Sequence, residues 1–92
     1  MLTFVISGPL RELAGNRGEV RIDGRVSRLG DALSLLWRDY PAFRDRVVTE
    51  KNELRPHLNI FVDGESIRWS GGFETAVRDG AEIVILPALS GG

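Results

Sequence analysis

The 92-residue sequence contains no cysteine, a single histidine (His57) and a single lysine (Lys51). Without cysteine the chain cannot form a disulfide, bind a metal through thiolates, hold an iron–sulfur cluster or use a thiol nucleophile. One histidine also falls short of the multi-histidine set that metal sites commonly use. We therefore expect no metal site and no bound cofactor, and few side chains remain that could perform chemistry.

The chain also lacks an excess of either charge. Twelve basic residues stand against thirteen acidic ones, giving a net charge of −1, so no broad basic face is expected and nucleic acid is not an expected partner. A 42% hydrophobic and 27% charged composition is typical of a folded globular chain, and this length indicates one domain. No apolar run approaches a membrane span, and no basic leader precedes the apolar start. We therefore expect no membrane partner and a cytoplasmic location.

Hydrophobic periodicity predicts the first half of the fold. Period-two alternation indicates strands at residues 2–7 and 19–23. An amphipathic helix is predicted where apolar residues recur at helical spacing. Its stripe consists of Leu29, Ala32, Leu33, Leu36, Trp37 and Tyr40. Pro41 ends this helix because a residue before proline is disfavoured in the α region, and a short second helix is predicted at 41–48.

The second half reads as strands separated by turns. Strands are predicted at 58–62, at 66–69 and at 81–86, with Asp63-Gly64 as a hairpin turn between the first two. The last strand is apolar on both faces from Ile83 to Leu86, which is typical of a central strand with a parallel neighbour. The expected fold is therefore α+β, a mixed sheet with one main helix packed across one face. We expect this domain to span residues 1–87 and to be followed by a flexible tail, 88–92.

Catalysis by side chains is not indicated. His57 has no nearby nucleophile or acid in the sequence that would make it a catalytic base, so it reads as a surface residue. The acidic residues are scattered, and a chain this small offers little room for the cleft that paired catalytic carboxylates need. Gly71-Gly72 lacks the lysine of a phosphate-binding loop and reads as a turn. A stand-alone enzyme is therefore not expected.

The sequence ends in Gly91-Gly92, directly after the predicted central strand. Residues 88–92 in extended form reach roughly 16 Å, and glycines without Cβ atoms fit a narrow channel in a partner. The reactive group of such a tail is its terminal carboxylate, which is ionised at pH 7 and must be activated, most simply as a mixed anhydride with AMP. Displacement of AMP by an amine gives an amide, and displacement by sulfide or persulfide gives a thiocarboxylate.

Several segments resemble one family, the ubiquitin-like β-grasp sulfur carriers, which includes the molybdopterin synthase small subunit and the thiamine-pathway sulfur carrier. The resemblance covers essentially the whole chain and is carried by residues 10–15, 30–33, 79–87 and 87–92. Residues 59–64 and 67–72 look most like the branch that delivers sulfur for cysteine biosynthesis. Ala81 departs from the pattern, since many members have an acidic residue after the turn glycine.

This resemblance implies partners and site residues. An ATP-dependent adenylating enzyme of the ubiquitin-activating type would act on the C-terminus, a sulfurtransferase or other sulfur source would supply sulfur, and a synthase would accept it. Gly92 would carry the adenylate and thiocarboxylate, and Phe61, Trp69 and Leu89 would dock partners. The remaining tail residues are Leu89, Ser90 and Gly91. Phe61 and Trp69 could equally be core aromatics. The receiving pathway stays open among cysteine, molybdopterin, thiamine and tRNA thiolation.

Two other functions also fit the sequence. A ubiquitin-like modifier joined to lysines would use the same Gly92, and chains of this protein could then form only through Lys51 or the N-terminal amine. A noncovalent subunit would instead insert its tail into an enzyme without reacting.

Overall fold

The computed structural model describes residues 1–88. Five strands form one mixed sheet: β1 (Leu2–Ile6), β2 (Glu19–Ile22), β3 (Leu58–Val62), β4 (Glu65–Ser66) and β5 (Glu82–Pro87). Their spatial order is β2-β1-β5-β3-β4. β1 and β5 pair in parallel at the centre, and the other neighbours pair antiparallel. The predicted strands at both ends of the chain, and the central, parallel position of the last one, are confirmed.

One main helix, α1 (Leu29–Asp39), accompanies the sheet, and α2 (Ala42–Val47) follows it after Pro41. The side chains that α1 buries are Leu29, Ala32, Leu33 and Leu36. From the sheet, alternate residues of each long strand are buried, as in β1, where Leu2, Phe4 and Ile6 are nearly inaccessible. Each large apolar side chain removed from water contributes roughly 1.5–3 kcal/mol. The predicted fold class, α+β with a main helix and a mixed sheet, is confirmed.

The start of α1 is stabilised by the backbone rather than by a capping side chain. Arg28 occupies the N-cap position and makes no side-chain cap hydrogen bond. Instead the Leu29 N–H donates to the Thr75 carbonyl at 2.9 Å, and the Val77 N–H donates to the Ser27 carbonyl at 3.0 Å. The segment before β5 therefore supplies an acceptor for an N–H group that a helix start otherwise leaves unpaired.

The predicted strand at 66–69 is wrong. β4 ends at Ser66, and residues Ile67–Ser70 form a single helical turn, α3. The Ser66 Oγ accepts a hydrogen bond from the Arg68 N–H at 3.3 Å, which is an N-cap interaction. Gly71, at φ +112°, then ends the turn in a conformation that favours glycine. Short 3₁₀ helices at Gly8–Ala14 and Gly72–Glu74 complete the described elements.

The turn between β3 and β4 matches its prediction. Asp63 and Gly64 both have positive φ, at 49° and 88°, as two-residue hairpin turns of this kind require. The Asp63 carboxylate also accepts the Glu82 N–H at 2.9 Å, which ties the turn to the first residue of β5. Among residues 1–88, no helix is long and apolar enough to cross a membrane.

Candidate functional site

The predicted tail residues Leu89, Ser90, Gly91 and Gly92 lie outside the described residues. The structure instead shows how the chain is held immediately before them. Pro87 lies opposite Leu58 in the sheet, and the Ala88 N–H donates to the His57 carbonyl at 2.7 Å. The root of the tail is therefore attached to the start of β3, while the boundary between domain and tail at residues 87 and 88 stays a prediction.

β5 is fixed on both sides before it reaches that root. It pairs with β1 from Thr3 to Ile6, and its residues Ile83 to Pro87 pair with β3. The Ser7 N–H adds a hydrogen bond to the Ile85 carbonyl at 3.1 Å. Ile83 and Ile85 are fully buried on the helix side of the sheet. A strand with paired backbone and buried side chains moves as part of the core, so the tail begins from a rigid base.

The opposite face of the sheet carries a row of half-buried apolar side chains. Val5, Val84 and Phe61 lie side by side in register on β1, β5 and β3. Leu86 extends this row toward the tail and lies opposite Asn59. We call Val5, Phe61, Val84 and Leu86 the outer apolar face. The structure thus places Phe61 beside the strand that leads to the tail and not within the core cluster.

The Asn59 side chain is an unusual feature of this face. Its Oδ1 atom is buried and has no hydrogen-bond partner in the described part of the chain. A buried polar atom without a partner costs on the order of 1–3 kcal/mol, so such atoms are uncommon. Asn59 belongs to one of the segments that carry the family resemblance, and no sequence pattern indicates that its oxygen is unpaired.

Trp69 lies in α3 and is 83% exposed. Its neighbour two positions earlier, Ile67, is buried and anchors the helical turn. Trp69 is therefore not a core aromatic, and its indole is accessible to a binding partner. The structure does not bring Trp69 into register with Phe61, because β4 ends at Ser66.

The described residues place few ionisable side chains close together. Within residues 1–88, no three His, Cys, Asp or Glu side chains stand close enough to hold a metal ion. His57 is exposed, as expected. The N-terminal ammonium, 2.7 Å from the Asp79 carboxylate, lowers the pKa of Asp79, and hydrogen bonding to Asp39 raises the pKa of Arg38. Both pKa shifts are explained by these surface ion pairs and do not indicate a catalytic group.

Comparison with known proteins gives a consistent family match. The model of the ThiS family matches residues 4–92. Sulfur carrier protein CysO of Mycobacterium tuberculosis (strain H37Rv) is 34% identical over 93 residues, which cover 99% of this chain and 98% of that protein. Small archaeal modifier protein 1 of Haloferax volcanii is 36% identical over 84 residues, covering 90% and 91%.

Solved structures agree with this match. The crystal structure of Mycobacterium tuberculosis CysO superposes with a TM-score of 0.87 at 33% identity and covers 97% of this chain and 100% of that chain. The BexX/CysO complex of Amycolatopsis orientalis contains a chain that superposes with a TM-score of 0.86 at 30% identity, with full coverage of both.

Proposed function

The chain belongs to the ThiS family of ubiquitin-like β-grasp sulfur carriers, and from that premise we propose that the Gly92 carboxylate is the group that carries the sulfur. The chain is a sulfur carrier, and the homologous carriers favour a carrier role over that of an enzyme. The observation that carries the proposal is the position of Gly91-Gly92, which three residues separate from the central strand β5. No cysteine is available to hold sulfur elsewhere.

The chemistry needs three partner activities. An adenylating enzyme joins a Gly92 carboxylate oxygen to the α-phosphorus of ATP and releases pyrophosphate. A sulfur source then delivers sulfide or a persulfide, whose sulfur attacks the Gly92 carbonyl carbon and displaces AMP. A persulfide leaves an acyl disulfide, which a thiol of the source cleaves to give the thiocarboxylate. ATP is consumed by the partner, so the carrier itself needs no bound cofactor, and we propose that these steps occur in the cytoplasm.

The outer apolar face is proposed as the docking surface for these partners. Phe61, Val84 and Leu86 lie on the strands that hold the tail root, so an enzyme that grips this face is positioned to receive residues beyond Ala88. Trp69 and Leu89 are proposed as further contacts. Exposed aromatic side chains contribute strongly when they become buried at an interface.

Intact mass spectrometry of the protein recovered from its own cells tests this proposal. A C-terminus in which one oxygen is replaced by sulfur supports the carrier role at Gly92. A variant in which Gly92 is deleted serves as the control and should show only the unmodified mass. Recovery of thiocarboxylate from that control, or of unmodified Gly92 under conditions of active sulfur transfer, would refute the proposal.

We propose the cysteine pathway as the receiver because sequence and structural relatives are named CysO. A modifier role is the second candidate, and the similarity to small archaeal modifier protein 1 favours it. The two are separated by peptide mapping: Gly92 joined to lysines of other proteins indicates a modifier, whereas a free thiocarboxylate indicates a carrier.

A further inference from the structure

Three side chains able to carry positive charge line one cleft near the root of the tail. Arg46 comes from α2, and Arg55 and His57 come from the segment before β3; together with Asp45 they line an open cleft of about 240 Å³. We call this the basic cleft. The Asp45 carboxylate faces Arg44 at 3.3 Å, so the one acidic residue of the cleft is already paired.

The cleft is held in place by the backbone. The half-buried Arg55 donates a hydrogen bond from Nε to the Asp45 carbonyl at 2.8 Å, which fixes its guanidinium between α2 and β3. In the described residues neither Arg46 nor Arg55 has a carboxylate within 4.0 Å, whereas Arg28, Arg38 and Arg78 each do. Arg46 and Arg55 therefore have no direct ion pair in the described residues, and Arg55 also borders a neighbouring cavity lined by Glu50 and Glu53.

Position connects the cleft to the tail. The carbonyl of His57, one of its lining residues, accepts the Ala88 N–H. Four further residues span at most about 14 Å, so an enzyme that binds Gly92 works within that distance of Ala88, whose hydrogen-bond partner His57 lines this cleft. The nucleotide, in contrast, has to lie at Gly92 itself, at the far end of the tail.

We propose that the basic cleft docks a carboxylate-bearing surface of the adenylating enzyme, beside the entrance through which the tail passes. This inference rests on the proposed function. Guanidinium groups pair well with carboxylates and can do so through two parallel hydrogen bonds. Complementary charge at the edge of an interface accelerates association and fixes its orientation without taking part in the reaction. Arg46, Arg55 and His57 are thus positioning residues.

The test is chain-dependent adenylation by the activating enzyme encoded in the same genome, followed as ATP–pyrophosphate exchange against the concentration of the full chain. Arg46→Glu should raise KM about tenfold or more and leave kcat nearly unchanged, because an interfacial charge pair becomes a repulsive one. Arg46→Lys keeps the charge and should stay within about threefold of wild type. Arg21→Glu, on the exposed edge strand β2, is the matched control. Raising the salt concentration from ~0.05 M to ~0.5 M should increase the KM of the wild-type chain by a larger factor than the KM of Arg46→Glu.

The outcomes separate the two proposals. If the wild-type chain is never adenylated, the proposed function fails and the docking proposal fails with it. If it is adenylated and Arg46→Glu behaves like Arg21→Glu, only the docking proposal is overturned. The docking proposal is also overturned if Arg46→Glu has an unchanged KM but no longer binds an RNA column that retains the wild-type chain, since the cleft would then bind a polyphosphate. Thermal unfolding checks folding, and Arg46 makes no side-chain hydrogen bond in the described chain that its replacement would break.

Discussion

Alanine substitutions at two adjacent residues of β5 should affect different properties, one the stability of the fold and the other the binding of the partner enzyme. Ile85 is fully buried and lies between Ile6 and Ile60 on the core face, whereas Val84 lies between Val5 and Phe61 on the outer apolar face. Replacing either side chain by alanine changes the same strand, at consecutive positions. Because side chains alternate between faces along a strand, each change affects one face of the sheet.

The expected magnitudes follow from burial. Ile85→Ala loses three carbons from a fully buried site and should cost about 2–5 kcal/mol, and Ile85→Val about 0.5–1.5 kcal/mol. A domain of this length has roughly 5–14 kcal/mol of stability, so we expect most of the Ile85→Ala protein to be folded at 25 °C. Val84→Ala removes a half-buried side chain and should cost about 1 kcal/mol or less.

The assay combines urea unfolding with the adenylation KM, both at 25 °C. Ile85→Ala should lower the unfolding midpoint without changing KM once folded protein is counted. Val84→Ala should barely move the midpoint and should raise KM several-fold. The separation of faces is refuted if Val84→Ala leaves KM at its wild-type value, or if folded Ile85→Ala protein binds the enzyme as poorly as Val84→Ala does.

Three further predictions concern the tail and the turns. Adding one residue after Gly92 should abolish sulfur transfer, because the reacting carboxylate would then belong to a different residue; activity retained in a sulfide-dependent transfer assay would contradict this. Ser66→Ala should cost about 1 kcal/mol, measured by thermal unfolding, because the cap of α3 at the Arg68 N–H is lost; an unchanged Tm would argue against the cap. The pKa of Asp79 is lowered in the folded state by the N-terminal ammonium. Its stabilisation is therefore present above the unfolded pKa of about 3.9 and is lost as pH falls through the lower folded value. Asp79→Asn should accordingly be less stable than wild type at neutral pH and approach it in acid, and a difference that stays constant between pH ~7 and pH ~2 would refute the linkage.

The parts of the fold that sequence predicts well are those with unbroken periodicity. The stripe from Leu29 to Tyr40 specifies α1, because it repeats at helical spacing for three turns before Pro41 ends it. The apolar run at Ile83–Leu86 predicts the central strand, although only Ile83 and Ile85 are fully buried and Val84 and Leu86 are half-buried on the outer apolar face.

The wrong strand at 66–69 shows where this reasoning fails. Ile67 and Trp69 alternate with polar residues, which matches a strand, but four residues hold too few repeats to distinguish the two periods. The outcome depends on the Ser66 cap and on Gly71, which are local hydrogen-bonding and backbone effects. The start of α1 is also decided by a distant acceptor, the Thr75 carbonyl, which no local pattern contains.

The candidate site also has a part that the sequence predicts and a part that it does not. The diglycine is visible in the sequence because it consists of adjacent residues. The basic cleft is not, because Arg46 and His57 become neighbours only when α2 packs beside the start of β3. The exposure of Trp69 likewise depends on a helical turn that sequence reasoning assigned to a strand.

The parallel pairing of β1 with β5 also governs when the carrier can become competent during its own synthesis. Thr3 pairs with Glu82, so β1 cannot complete its pairing with β5 until the chain has been produced beyond residue 82. β5 is the last strand to appear, and it must enter between β1 and β3, which are not neighbours without it. Such non-local pairing forms slowly, because a long loop must close before any contact compensates for its entropy. The rigid base of the tail therefore exists only once β5 has joined the sheet, and an enzyme that recognises this base discriminates against incompletely folded carriers.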